Sequence, residues 1–421
     1  MENINQTYID CLVNENAFET KKNEETRQQV VDKIRSAFKE WCPEGELVAL
    51  GSYKLGVHFP ESDIDLLCVA PKWVTRVSFQ QEFLDILLGL SGTSYCYGVF
   101  RAKVPIIKLT CDSIDLDVLF ANFDGNLLED GGIEYCDDAT LLSLNGFRNN
   151  EMILQLVPDV GSFQTALRGV KLWAVKKGIY SNILGYLGGA TWAILVAKIC
   201  MTFPDLSPAE LVLKFFKIFA LWTWEVPVCL SGNNHPQDYS YMTIVTPAQP
   251  VFNTAYTLTY SGFQVILKEL ELAAKVCEDI STGAATWEDL FSEVDFFQEF
   301  YWMLQVEVLA VNLSTFKTWL GLVQSRIKYF AKDIEAEHSK LRTTLYTKLF
   351  QTENKKFPFS SSYFIGLLFP NTTQKIDFRN AVKNFCETMR EINPLTGQCD
   401  ICIRLKNRNQ LEPKVLSQLK V

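Results

Sequence analysis

The sequence is poor in long apolar runs, in histidine and in regular cysteine spacing, and each shortage closes off a class of protein. Its longest uncharged stretches near membrane length are Gly178 to Ala197 and Tyr239 to Leu267. Gly185, Gly188, Gly189 and Asn182 interrupt the first; Pro247, Pro250 and Asn253 interrupt the second. Neither is the continuous apolar segment of about 20 residues that a bilayer demands, so no membrane span is expected. Met1 to Asn16 has no basic stretch followed by an apolar core, which argues against a secretory signal. The 12 cysteines follow no repeating pattern, and Cys68 and Cys200 lie in apolar runs, as reduced thiols of a cytosolic or nuclear protein do. The single CxxC, Cys399 to Cys402, falls in an alternating, strand-like stretch that points its two thiols to opposite faces, so zinc is not expected. Of the 3 histidines, His58 reads as a packing or turn residue rather than a catalytic base.

What the chain has is apolar mass. In 421 residues, 48% are hydrophobic and 13% aromatic against 21% charged, which suits a large folded protein of two to four domains and excludes a disordered chain. The net charge of −9 argues, as an average, against a protein that coats nucleic acid. The average is misleading: residues 1–300 hold 22 Lys and Arg against 39 Asp and Glu, whereas residues 301–421 hold 18 against 10. An acidic body with a basic C-terminal module fits a polyanionic partner.

Periodicity divides the chain in the same way. Ala17 to Trp41 has helical spacing, with Val30, Val31, Ile34, Phe38 and Trp41 on one side. Strands are expected at Glu46–Leu50, Asp63–Ala70, Val104–Thr110 and Ser113–Phe120, the last two joined by Cys111-Asp112. From about Asp137 to Glu293 the pattern is mainly helical, including Phe163 to Lys177 and Thr191 to Thr202, while Pro227 to Asn253 resists assignment. Strands at Gln305–Val311, Tyr363–Phe369 and Cys399–Lys406, with helices at Phe316–Glu337 and Asp377–Glu391, predict a small β-α-β-α-β sheet with helices on one face. The expected fold is therefore a multidomain α+β protein with units at 1–135, 136–295 and 296–421.

The most informative segment is Gly51-Ser52 followed, ten residues on, by Asp63-Ile64-Asp65. On a strand, Asp63 and Asp65 share a face and Ile64 points to the core. Asp117 lies in a second strand and joins that face if the two are neighbours; Asp115, two residues earlier, is a weaker candidate. At about 4 Å and an effective dielectric near 20, each pair of like charges costs roughly 4 kcal/mol, so three clustered carboxylates call for a divalent cation. Mg²⁺ takes one or two carboxylates plus water and substrate phosphates. A Gly-Ser turn lets phosphate oxygens approach backbone N–H groups and adds a hydroxyl. Solvent-facing acids at strand ends are the plain alternative.

At these residues the chain resembles the nuclear poly(A) polymerases, in the nucleotidyltransferase superfamily of DNA polymerase β. The resemblance runs through Gly51 to His58, Ser62 to Pro71, Val104 to Lys108, Ser143 to Gly146, Val170 to Trp173, Ile179 to Gly189 and Ile244 to Ala248, in order and over nearly the whole chain. It implies a nucleotidyltransferase catalytic domain, a helical central domain and an RRM-like (ferredoxin-like) RNA-binding domain, with ATP in the cleft between the first two. It implies Asp63, Asp65 and Asp117 as ligands of two Mg²⁺ or Mn²⁺ ions, and Gly51 and Ser52 as the phosphate turn. Lys171 and Tyr180 match residues that hold the triphosphate, Asn145 one that contacts the sugar, and Asn182, Thr246, Gly189 and Ala190 ones near the adenine; Ile64 belongs to the same nucleotide-contacting set. Leu50 stands where relatives usually have Phe, Phe59 where they often have Thr, and Ala190 where they often have Val.

The activity so implied is template-independent addition of AMP from ATP to an RNA 3′-OH with release of pyrophosphate. The implied setting is a nuclear monomer working with mRNA 3′-end processing proteins and no membrane. Two alternatives stand beside it: a terminal uridylyltransferase or CCA-adding enzyme with the same chemistry, and a non-catalytic RNA-binding subunit, against which three retained, mutually repelling carboxylates argue. The basic C-terminal module lacks an RNP1-type aromatic string, so backbone binding of RNA is expected there rather than base stacking.

Overall fold

A five-stranded sheet organises the N-terminal third of the molecule. The computed structural model describes residues 4–129, 131–232, 236, 240–338, 340–369, 376–393 and 397–418. The strands are β1 (Glu46–Leu50), β2 (Ile64–Ala70), β3 (Thr93–Val99), β4 (Ile106–Cys111) and β5 (Ile114–Asn122), in the order β1-β2-β5-β4-β3. β2 is a nearly unbroken apolar run because both its faces are covered. On one side lies the Lys21–Trp41 helix, started by Thr20 accepting from the Asn23 N–H and burying Val30, Val31, Ile34 and Phe38. On the other, Leu67, Val69 and Ala121 meet Leu144 and Phe147 of the Asp138–Leu156 helix. β2 pairs parallel with β5 and antiparallel with β1. The β4–β5 hairpin turns on Asp112 and Ser113, both at positive φ (47° and 66°), the geometry of a two-residue type I′ turn. The sequence placed this turn one residue early and missed β3.

The central layer is helical. Val160–Lys176 begins at Asp159, whose carboxylate accepts from the Gly161 and Ser162 N–H groups; Pro208–Phe219 opens on a Ser207/Glu210 capping box with Pro at the first helical position. Trp173, Trp192, Phe215, Phe216 and Phe219 fill the space between these helices and Gly189–Thr202. The first helix, Ile4–Asn14, packs on this layer and not on the five-stranded sheet: the Tyr8 ring lies 4.7 Å from that of Trp287 and its hydroxyl donates to the Thr165 carbonyl at 2.9 Å. The stretch that resisted assignment is irregular, held by bridges Val228–Ile244 and Val245–Asn253; its residues 233–235 and 237–239 lie outside the described residues.

The C-terminal unit is richer than the three strands read from sequence. β6 (Trp302–Ala310), β7 (Arg342–Leu345), β8 (Phe350–Gln351), β9 (Phe359–Leu368) and β10 (Cys399–Asn407) form an antiparallel sheet in the order β10-β6-β9-β7, with β8 on β9. With helices Leu313–Glu337 and Arg379–Glu391, the connectivity is βαββαβ. β7 was missed because Arg-Thr-Thr-Leu is short and carries little alternation. Both helices cover one face, through Trp319, Val323, Ile327, Phe330, Phe385 and Met389. The opposite face is closed by the chain itself: Phe296, Phe297, Phe300, Tyr346, Phe350, Leu411 and Val415 pack over Met303 and Phe364. Two cross-strand bonds lie beneath, Gln305 Nε2 donating to Ser362 at 2.9 Å and Arg404 to Glu307 at 2.8 Å. All described cysteines are unpaired thiols, and no described helix is long and apolar enough to cross a membrane.

Gly366 allows this closure, since a Cβ there would lie 2.3 Å from the Phe300 ring. Gly366→Val is expected to cost about 1–3 kcal/mol of stability by overpacking. A thermal melt reads this as a lowered midpoint; an unchanged midpoint contradicts the closed face.

Candidate active site

Strand register assembles one row of residues across the whole five-stranded sheet. Leu50 of β1 stands opposite Asp65 of β2, Asp65 opposite Asp117 of β5, Asp117 opposite Lys108 of β4, and Lys108 opposite Tyr97 of β3. Cross-strand partners share a face, so two carboxylates and an ammonium group are neighbours by backbone geometry alone. Lys108 Nζ donates to both Asp117 oxygens, at 2.7 and 2.6 Å. Asp63 sits just before β2, exposed at the mouth of the row, rather than within the strand as the sequence suggested. Asp115 is exposed and accepts from Thr110 Oγ1 at 2.5 Å.

The electrostatics follow from this crowding. Burial, then the charges of Asp63 and Asp117, push the Asp65 carboxyl up to about 7, against the pull of Lys108 and Lys171. Burial also raises Asp117, in spite of the Lys108 ammonium on it. Lys171 reaches the row from the Val160–Lys176 helix, 4% exposed, donating to the Val57 carbonyl at 2.6 Å. Its ammonium lies 4.8 Å from the Phe59 ring centroid and 6.0 Å from that of Tyr180. Burial and the nearby Arg168 bring it down to about 8, while Asp63 and Asp65 hold it up. Burial raises the Tyr180 hydroxyl, which stays a neutral donor.

Gly51 is the tightest point of the site. It has φ of +65°, and a Cβ there would lie 2.1 Å from Asp65 Oδ2. Its N–H donates to Asn150 Oδ1 at 2.9 Å, so a helix residue about a hundred positions away fixes the Gly51-Ser52 turn, which opens the short Gly51–Lys54 helix.

The remaining expected contacts fare unevenly. Tyr180 lies against Gly189, the first residue of the Gly189–Thr202 helix, and Asn182 packs beside Gly188. Ala190 and Asn182 are exposed. Asn145 is buried, its Nδ2 donating to the Pro250 carbonyl at 2.9 Å; Oδ1 is left as a buried acceptor without a hydrogen-bond partner. Three further placements complete the site. Ile64 is fully buried in the core, so only its backbone can face a ligand. The Thr246 hydroxyl is turned into its own loop, accepting from the Phe252 N–H at 2.8 Å. The acids do not form a ready cage: among the described residues no group of three or more His, Cys, Asp and Glu is close enough to hold an ion, and Lys108 supplies the counter-charge at Asp117. Their hard oxygen donors still suit Mg²⁺ or Mn²⁺, and an Asp65 carboxyl that resists ionisation has an unmet need for positive charge. Lys108 and Asn150 escaped the sequence reading. His58, as read, is a packing residue, buried beside Tyr53 and 3.0 Å from Glu24.

A mixed sheet bearing paired acids beside a glycine turn, roofed by a helical layer that lends a lysine, defines the nucleotidyltransferase class. Similarity to known proteins narrows this: residues 43–157 match the poly(A) polymerase nucleotidyltransferase domain and residues 162–293 the poly(A) polymerase central domain. The chain belongs to the poly(A) polymerase family. It is 31% identical to a poly(A) polymerase of Dictyostelium discoideum over 95% of its own length and 55% of that protein's. Against nuclear poly(A) polymerase 2 of Arabidopsis thaliana the identity is 33%, over 77% of this chain and 46% of that one. The chain thus spans about half the length of the curated relatives it matches. Among solved structures, Cid1 poly(U) polymerase with Mg and 3′-dATP superposes with a TM-score of 0.54 at 21% identity, covering 70% of this chain and 99% of that one, a likeness of fold.

Two predictions follow from the crowded row. Asp65 has its folded-state carboxyl raised above the usual value of 3.8, so its protonation favours the folded chain at low pH and that advantage fades as pH rises through about 7. The metal-free melting temperature should therefore fall between pH 5 and pH 8, and Asp65→Asn should flatten the profile; parallel profiles contradict the assignment. Gly51→Ala should cost about 1–3 kcal/mol through left-handed strain and displace the Asp65 carboxylate, seen as a lowered melting point together with loss of turnover.

Proposed function

We propose that the chain is a polynucleotide adenylyltransferase that transfers AMP from ATP to the 3′-OH of RNA without a template. The observation that carries this is the register pairing of Asp65 with Asp117 beside the Gly51 turn, within a chain of this family. Asp63, Asp65 and Asp117 would hold Mg²⁺ or Mn²⁺, which when bound lowers the pKa of the attacking hydroxyl and offsets charge on the departing pyrophosphate. The chain's own groups do the rest. Lys171, clamped between the Val57 carbonyl and the Phe59 ring, presents a buried ammonium to the triphosphate. The neutral Tyr180 hydroxyl donates to a phosphate oxygen. Gly51 lets phosphate approach where a side chain would collide with Asp65, and the Ser52 hydroxyl adds a donor. Asn145, oriented by its bond to Pro250, offers its free Oδ1 to a sugar hydroxyl. Gly189, Ala190 and the exposed Asn182 border the base. The 3′-oxygen forms a bond to the α-phosphorus as the bond from that phosphorus to the bridging oxygen breaks; the hydroxyl proton is lost and pyrophosphate leaves.

The names of the Arabidopsis relatives, nuclear poly(A) polymerases, support a nuclear location and poly(A) addition, and mRNA is the RNA class this reading takes. A monomer acting on RNA 3′ ends together with 3′-end processing proteins completes the reading. Pyrophosphate release with an RNA oligonucleotide and each nucleoside triphosphate in turn tests it. ATP is expected to be the preferred substrate; preference for UTP moves the chain to uridylyl transfer, and release with none of the four removes the catalytic assignment. Lys171→Gln removes a charge-assisted contact of about 1.5–3 kcal/mol, so the apparent KM for ATP should rise roughly 10- to 150-fold. An unchanged KM excludes Lys171 from triphosphate binding.

A further inference from the structure

The adenylyltransferase reading requires the RNA strand leaving the 3′ end to be held somewhere, and the C-terminal sheet cannot stack its bases. The face opposite its helices is closed by Phe296, Phe297, Phe300 and the residues around Leu411. Stacking surface is available elsewhere. Where the Tyr260–Thr282 helix approaches the Leu313–Glu337 helix, a groove of about 240 Å³ is lined by Tyr241, Tyr256, Tyr260, Tyr329, Lys328 and Lys332. Tyr256 is 67% exposed and Tyr329 49%, far more than aromatic rings retained for packing. Cations are interleaved with the rings: Lys328 Nζ lies 5.4 Å from the Tyr329 centroid, the Arg342 guanidinium 5.6 Å from that of Tyr260, and Lys103 Nζ 5.9 Å from that of Tyr256. Glu335, the acid among the lining residues, is occupied at Oε1 by the Ser261 hydroxyl and by the N–H and hydroxyl of Thr343 at 2.5, 2.7 and 2.9 Å. The groove therefore presents flat rings and positive charge.

We propose that this groove seats a base of single-stranded RNA upstream of the 3′ end, stacked on Tyr256 and Tyr329, with Lys328 and Lys332 on the adjoining phosphates. This rests on the adenylyltransferase reading and adds the path of the RNA to it. Volume supports a single base: roughly 300–1,000 Å³ is usual for a pocket that encloses a whole small ligand, and this groove is smaller and open at the rim. Charge excludes an apolar peptide helix as occupant, because ammonium groups alternate with the rings. Position supports the strand's route. Lys103 belongs to the β3–β4 connection of the catalytic sheet, and Lys317, three turns before Lys328 on the same helix, lies 4.3 Å from the ring of Tyr95 in β3. The long helix thus runs from the sheet that bears the acid row to the tyrosine groove.

Binding in metal-free buffer separates this from catalysis. Fluorescence anisotropy compares oligo(A) of roughly 16 nucleotides with oligo(A) of roughly 3, too short to span a site of this kind. Stacking is worth about 1–3 kcal/mol per base, so Tyr256→Ala with Tyr329→Ala should lose roughly 5- to 150-fold in affinity for the long strand and little for the short one. Tyr256→Phe with Tyr329→Phe should restore the long-strand affinity, since stacking uses the ring and not the hydroxyl. Lys328→Ala with Lys332→Ala should reduce the salt slope of log affinity by roughly 1.4. A wild-type gain with length in the double alanine variant overturns the proposal, as does an equal loss on duplex RNA, whose bases are not available to stack. Failure of the catalytic reading has a different signature: no AMP incorporation by the unsubstituted chain into any oligonucleotide.

Discussion

Burial of carboxylates packed into one row of the five-stranded sheet is the constraint on which the rest of the structure turns. Asp65 and Asp117 are held opposite each other by a parallel β2–β5 ladder that is buried on both faces, so neither can move away without disrupting the core beneath it. Burial, with neighbouring like charge added to it, raises the Asp65 and Asp117 carboxyls, and the surroundings answer with positive charge: Lys108 from within the sheet, Lys171 from the helical layer. Gly51 completes the arrangement by having no side chain where Asp65 needs space. The site is thus a shared product of two layers, with the acids rooted in the sheet and the buried Lys171 ammonium rooted in a helix of the central layer.

The C-terminal unit answers a different requirement. A sheet with one face under helices normally offers the other to solvent or a ligand, yet here aromatic residues before β6 and apolar residues after β10 return to cover it. Basic and aromatic surface is displaced to the long helix and to its junction with the central layer. The separation of charge seen in the sequence, acidic body and basic end, follows this division.

How much of this could be read from the sequence depends on the range of the interaction. β1, β2, β5 and the long helices were legible because their apolar periodicity is local, as Val30, Val31, Ile34 and Phe38 show in the first long helix of the catalytic unit. Asp63, Asp65 and Asp117 were singled out by spacing and by family resemblance, but their pairing depends on strand order, which no local pattern encodes. Lys108 is the instructive miss. A two-residue turn at Asp112-Ser113 sets Lys108 opposite Asp117, and placing the turn at Cys111-Asp112 shifts that register. Asn150 and the inward turn of Thr246 depend on contacts between distant segments or on loop conformation and left no signal. β7 and the closed sheet face were hidden because short, threonine-rich strands and scattered phenylalanines resemble loop and core alike.

AMP incorporation by Asp117→Asn, compared with the unsubstituted chain in Mg²⁺ on the same RNA primer, decides whether the acid row does the chemistry. Asparagine keeps the shape and removes one charge from the row, taking away several kcal/mol of transition-state charge stabilisation. Incorporation should fall by at least ~1,000-fold in a chain whose thermal melt shows it still folded. Incorporation within about tenfold of the unsubstituted chain would show that the acid row is structural and that the chemistry lies elsewhere.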